Sequence, residues 1–104
     1  MKQYIGQRTD KEFCERNLVL VNGKELKHYV MHSPDGFEWG YGGSGPSELS
    51  RCILIDYFGS ISEANKYYQK FKCDVISKIK GISWVITSDD IKNWLINNNE
   101  NNQL

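Results

Sequence analysis

The sequence predicts an α+β fold: a small antiparallel sheet, made of a hairpin plus one or two further strands, packed against three helices. Three observations predict it. Asn22-Gly23 stands between two apolar runs, the residue pair that a two-residue type I′ turn demands because both central residues need positive φ. Phe37, Trp39 and Tyr41 then recur at every second position, the period of a strand. From Pro46 onward the apolar residues recur at three- and four-residue spacing, in segments closed by Gly59 and Gly81.

Taken in order, residues 3–9 read as a short strand in which Tyr4 and Ile5 favour the extended state and Gly6 weakens it. Residues 10–16 are of mixed charge and read as a loop. The run 18–21 and a returning strand over 24–31 form the hairpin, with Val19 opposite Leu26 and Val21 opposite Lys24. Both hairpin faces are apolar: Val19, Leu26 and Val30 on one, Leu18, Leu20, Tyr29 and Met31 on the other. The pattern leaves the core face open. Ser33-Pro34-Asp35-Gly36 is a turn by its chemistry, and residues 37–41 are expected as a strand with three aromatics on one face. A first helix is expected from Pro46, with Glu48 favouring the positive end of its dipole and Leu49, Cys52, Ile53 and Tyr57 on one face. A second, over 63–80, is capped by Ser62 and carries Ala64, Tyr68, Phe71, Val75 and Ile79, with Ile76 flanking. Residues 83–86 read as a short strand or extended piece carrying Trp84. Thr87-Ser88-Asp89-Asp90 resembles a capping box opening a third helix with Ile91, Trp94 and Leu95. The domain is expected over 1–97, with a disordered polar tail over 98–104.

Composition narrows the partners. The chain has 104 residues with 13 basic and 13 acidic side chains, so no net charge draws it to duplex nucleic acid. The lysines at 66, 70, 72, 78 and 80 are expected as a solvated face. No apolar run approaches the ~20 residues of a membrane span, and the first residues lack the apolar core of a signal peptide. A soluble, cytoplasmic protein is expected. Cys14, Cys52 and Cys73 form no Cys-x-x-Cys pair and are expected to be free, structural thiols.

The stretch 31–46 concentrates the unusual residues: five of nine glycines, both prolines, one of two histidines and three spaced aromatics. Gly42-Gly43-Ser44-Gly45 followed by a helix start combines backbone amides with a positive dipole end, the makings of an anion cradle. The alternative is a tight turn from sheet to helix. It is not a Walker loop, since no lysine follows the glycines. Gly40, Gly42 and Gly45 match the letters of a dinucleotide fingerprint, but no βαβ unit surrounds them. Tyr41 or Trp39 could stack on a planar ring, with Arg8, Arg51 or His32 supplying charge. A metal is not expected: His28 and His32 on one extended face lie ~13 Å apart at ~3.3 Å per residue. Ser44 lacks the Gly-x-Ser-x-Gly elbow of a nucleophile.

The run His-Ser-Pro-Asp-Gly-Phe-Glu-Trp-Gly-Tyr-Gly-Gly-Ser-Gly-Pro at 32–46 resembles the signature of an uncharacterised family of short bacterial and phage proteins. The likeness continues through Tyr68-Gln69-Lys70-Phe71-Lys72 and Trp84-Val85-Ile86-Thr87. It implies a phage or prophage accessory protein in the host cytoplasm and carries no activity or catalytic residue with it. With the residues, it yields the expectation of a non-enzymatic protein that binds a small anionic, nucleotide-like ligand, without cofactor, through His32, Trp39, Tyr41, Gly42, Gly43, Ser44, Gly45 and Arg51. Sequestration of a host defence signal is one such role. An inhibitor of a host factor and a small hydrolase using His32, Asp35 and Glu38 are the alternatives. A homo-oligomer is compatible with either binding role.

Overall fold

The structure, a computed structural model, describes residues 1–8, 17–34 and 36–102, the last four by backbone alone. The loop expected over 10–16, Cys14 and Asp35 lie outside the described residues. The fold is α+β, as expected. Strands β1 (Gln3–Gln7), β2 (Leu18–Val21), β3 (Lys24–Glu25) and β4 (Ser83–Thr87) form one antiparallel sheet in the order β3-β2-β1-β4. The described residues also form helices α1 (Ser44–Phe58), α2 (Ile61–Asp74) and α3 (Ser88–Asn102), and a 3-10 turn at Ile76–Lys78.

The hairpin turns at Asn22 and Gly23, whose φ values of 48° and 84° are those of the type I′ turn. Val21 faces Lys24, and Leu26 N–H donates to Val19 C=O at 2.9 Å, so the expected register holds. The register also decides the core face. Val19 and Leu26 are buried with Tyr4, Trp84 and Ile86, while Ile5, Leu18 and Val85 stand exposed on the other side.

Two expected strands are not formed as such. The strand over 24–31 stops after two residues, because the backbone beyond turns to side chains of α1. Tyr29 N–H donates to Cys52 Sγ at 3.3 Å, and Met31, His32 and Ser33 donate to the carboxylate of Glu48. Residues 37–41 form no strand either. The Phe37 carbonyl accepts from Asn17 Nδ2 at 3.1 Å and the Trp39 carbonyl from Arg8 Nη2 at 3.1 Å, so side chains satisfy groups a ladder would have used. Phe37 and Trp39 are core nonetheless, and Tyr41 is exposed.

The helices begin and end by local chemistry. α1 opens two residues before Pro46, with Gly43 as N-cap, and stops at Gly59, whose φ is 67° and whose N–H returns to Ile55 C=O at 2.8 Å. Residues 45–55 of α1 are all buried, so this is the central helix. α2 starts earlier than expected, because Ser60 and not Ser62 caps it, accepting from Glu63 N–H at 3.2 Å. It also ends earlier, at Asp74. Val75 leaves helical geometry, and the Ile76 carbonyl accepts from Gly40 N–H at 3.0 Å. The capping box of α3 closes both ways: Thr87 N–H donates to Asp90 Oδ2 at 2.9 Å and Asp90 N–H to Thr87 Oγ1 at 3.1 Å. α3 runs on through Asn102, past the tail boundary expected at 97, and Asn98 is buried with its amide on the Trp94 carbonyl at 2.8 Å. Cys52 is a buried free thiol and Cys73 an exposed one.

Gly6, which weakens β1 by propensity, is explained by its neighbour. It faces Trp84 directly across β1 and β4, and a methyl at Gly6 would enter the indole ring. Among the described residues Trp84 Nε1 is buried without a hydrogen-bond partner, and the ring is held by packing, edge-on to Trp39 with centroids 5.6 Å apart. Gly6→Ala is expected to destabilise by about 2 kcal/mol, as overpacking does, a fall of roughly 8–16 °C in melting temperature. In a Trp84→Val background the same change should be nearly neutral. Equal losses in both backgrounds would remove the ring as the cause.

Candidate functional site

The candidate site is built where the strap of residues 26–43 meets the start of α1. Gly43 caps the helix in extended geometry (φ −102°) and has no side chain to accept from the first turn, which carries no acidic residue. Ser47 N–H closes the first helical bond onto Gly43 C=O at 3.1 Å. The amide donors of the helix start therefore sit at a positive dipole end that no carboxylate of that turn offsets.

Gly43 and Gly45 serve close approach rather than unusual φ. Positive φ in this stretch falls at Gly36 (118°) and Gly40 (86°), not at Gly42, Gly43 or Gly45. A methyl at Gly43 would strike the Tyr41 ring. One at Gly45 would sit 2.6 Å from Glu38 Cβ and 3.3 Å from the Tyr41 hydroxyl. Tyr41 thus folds back over the helix start while keeping 51% of its surface exposed. A methyl at Gly42 would meet nothing within 4 Å, so the approach is open.

Glu38 ties this corner to β1. It pairs with Arg8, whose guanidinium also lies 4.6 Å over the Trp39 ring. Burial pushes the Glu38 carboxyl up, but hydrogen bonds from Arg8, Asn17 and the Trp39 amide outweigh it and hold the group below its usual range. Trp39 is 1% exposed, and its Nε1 donates to Gly81 C=O at 3.2 Å, so it backs the corner and presents no face for stacking.

The structure brings Tyr41, Gly42, Gly43, Ser44 and Gly45 together and disperses the rest. His32 Nε2 lies 2.8 Å from the Tyr68 hydroxyl on α2. Arg51 is buried between α1 and α2, where its Nε donates to Asn65 Oδ1 at 2.9 Å and Nη1 to Tyr29 C=O at 3.4 Å. Neither directs its charge at the glycines. His32 and Glu38 likewise engage different partners. Among the described residues no group of three His, Cys, Asp or Glu side chains could hold a metal ion, and no helix is long and apolar enough to cross a membrane.

The residue that sequence reasoning assigned only a dipole role is Glu48. Its side chain is fully buried. Met31 N–H donates to both oxygens at 3.0 Å, His32 N–H to Oε1 at 3.1 Å and Ser33 N–H to Oε2 at 3.0 Å. His28 Nε2 lies 2.8 Å from Oε2, and its ring rests 4.8 Å from Phe37. The available signal was the single acid of the stretch 45–55, where Arg51 is the only other charged residue.

Residues 4–97 match the family of unknown function DUF6166, and the chain belongs to that family. No curated protein and no solved structure matches it.

Burial pushes the Glu48 carboxyl up, while the His28 bond and the amides of His32, Met31 and Ser33 pull it down further, leaving it below its ordinary value of 4.5. A depressed folded value stabilises the fold fully above that ordinary value, and the stabilisation is lost as pH falls below it. Glu48→Gln sets an amide NH2 against the strap's N–H donors and is expected to cost about 3 kcal/mol. Chemical denaturation at pH 7 and pH 3.5 checks both: the variant's deficit should shrink at the lower pH. A deficit equal at both would show that the charge of Glu48 is not what binds the strap.

Proposed function

We propose that this chain is a non-enzymatic phage or prophage accessory protein that binds a small anionic, nucleotide-like ligand at the start of α1. The observation that carries the reading is an uncapped, acid-free first turn beside an exposed aromatic ring. An anionic group accepts from the amide of exposed Ser44, as anions do at helix starts. A planar ring stacks on Tyr41. Gly42, open to solvent, lets the ligand reach the backbone. Arg8, paired with Glu38 behind this corner, acts at a distance with Trp39, His32 and Arg51 by holding the strap and helix in place. Sequestration of a nucleotide-like host defence signal in the host cytoplasm fits a phage association, which rests on the resemblance at 32–46.

A second reading is an inhibitor that docks on a host protein. The exposed apolar side chains Ile5, Leu18 and Val85 on the outer sheet face favour it.

Small molecules released by denaturing the purified protein, read by mass spectrometry, should include a nucleotide-like anion. The stripped protein should then be titrated with nucleotides and inorganic phosphate. Tyr41→Ala and Gly42→Ala are expected to weaken binding at least tenfold, about 1.4 kcal/mol, while melting within a few degrees of the parent. Ligand-free protein that no nucleotide or phosphate stabilises would overturn the proposal. So would binding that both variants retain in full.

A further inference from the structure

We propose that two copies of this chain associate through the free edge of β4, pairing antiparallel about Val85 into one continuous sheet. The proposal is independent of any ligand at α1.

The two edges of the sheet are treated differently. On one side β3 is two residues long and both are charged, Lys24 and Glu25, which is how edges are kept from pairing. On the other side β4 has five residues, Ser83-Trp84-Val85-Ile86-Thr87, with neither charge nor proline. Val85 is 56% exposed and Ile82, just before the strand, 65% exposed.

The hydrogen-bond parity leaves Val85 free to pair. Arg8 N–H donates to Ile82 C=O at 2.8 Å and Ser88 N–H to Lys2 C=O at 2.9 Å, at the two ends of the β1–β4 ladder. Even-numbered residues of β4 therefore bond to β1. The N–H and C=O of Ser83 and Val85 point away from it. Thr87 N–H is taken by Asp90, so among the described residues the donors left on this edge lie at Ser83 and Val85.

Self-pairing about Val85 makes each half of the strand meet the other half of its partner. Val85 bonds reciprocally to Val85 of the second copy, the isologous contact of a two-fold dimer. The same operation lays the Lys80 end of one strand beside the Asp89–Asp90 end of the other, and all three side chains are exposed. The charges are complementary at both ends, and a parallel arrangement would set like against like. The outer face gains as well. Leu20, Ile5 and Val85 already form one cross-strand row, and pairing doubles it across the dimer.

Sedimentation equilibrium of the full chain over micromolar to millimolar concentration should show a species of twice the chain mass. Val85→Pro removes the outward N–H without touching a β1 bond and is expected to raise the dimer dissociation constant at least tenfold. Lys80→Glu should weaken the dimer, and adding Asp89→Lys to it should restore association; this pair needs no change to the strand. Circular dichroism confirms that each variant is folded. A chain that stays monomeric at every concentration overturns the proposal, as does a dimer indifferent to Val85→Pro or one that Asp89→Lys does not restore.

Discussion

The structure depends on a carboxylate taken out of water. Burying Glu48 carries a desolvation penalty of several kcal/mol, and the contacts around it show what offsets that penalty. Three consecutive backbone amides and one imidazole converge on the two oxygens. Of these amides, Met31 ends the strand expected over 24–31, and His32 and Ser33 follow it. At Met31 the choice falls on the buried carboxylate, where charge-assisted hydrogen bonds outweigh neutral ladder bonds. The consequence is topological. Glu48 lies in α1, and the segment it binds lies just before α1, so the chain from 31 to 48 closes on itself.

A second anchor fixes the far side of that closure. Arg8 leaves the end of β1, pairs with Glu38, donates to the Trp39 carbonyl and covers the Trp39 ring. Trp39 stands edge-on to Trp84 with ring centroids 5.6 Å apart, and Trp84 lies on Gly6. Sheet, strap and helix start are therefore joined by contacts among large rings whose positions leave little freedom. Between the two anchors the described backbone has no regular structure, yet the amides of 31–33 and the carbonyls of Phe37 and Trp39 all have side-chain partners. That is why a segment without secondary structure serves as core.

What the sequence made legible follows from locality. The Asn22-Gly23 turn, the stop at Gly59 and the Thr87–Asp90 capping box depend on neighbours within a few residues, and all three are found. The fold class follows from their order. The strand assigned to 37–41 failed because alternation of Phe37, Trp39 and Tyr41 reports only a preference for two sides, not the presence of a partner strand. Carbonyls there pair with Asn17 and Arg8, 20 and 31 residues away in sequence. Glu48 was hidden for the same reason: its partners are 15 to 20 residues upstream, at positions whose own patterns spelled a strand and a turn. Of the candidate site, Tyr41 and residues 42–45 hold together because they are contiguous. His32, Trp39 and Arg51 left it because contacts with Tyr68, Gly81 and Asn65 determine where they point.

The glycines at the start of α1 are small for different reasons. Glycines in a row suggest a backbone that needs left-handed φ, but positive φ falls at Gly36 and Gly40, before the cluster proper. Gly43 and Gly45 are small because Tyr41 and Glu38 press on them from outside. These two are thus explained by packing, and a ligand is not needed to account for them. Gly42 is different. Its φ is not left-handed, and beyond its chain neighbours no atom of the described residues comes within 4 Å of an added methyl. The proposed ligand would approach the helix start over this open residue, beside the exposed Tyr41 ring, so Gly42 is the glycine at which a binding role and a folding role separate.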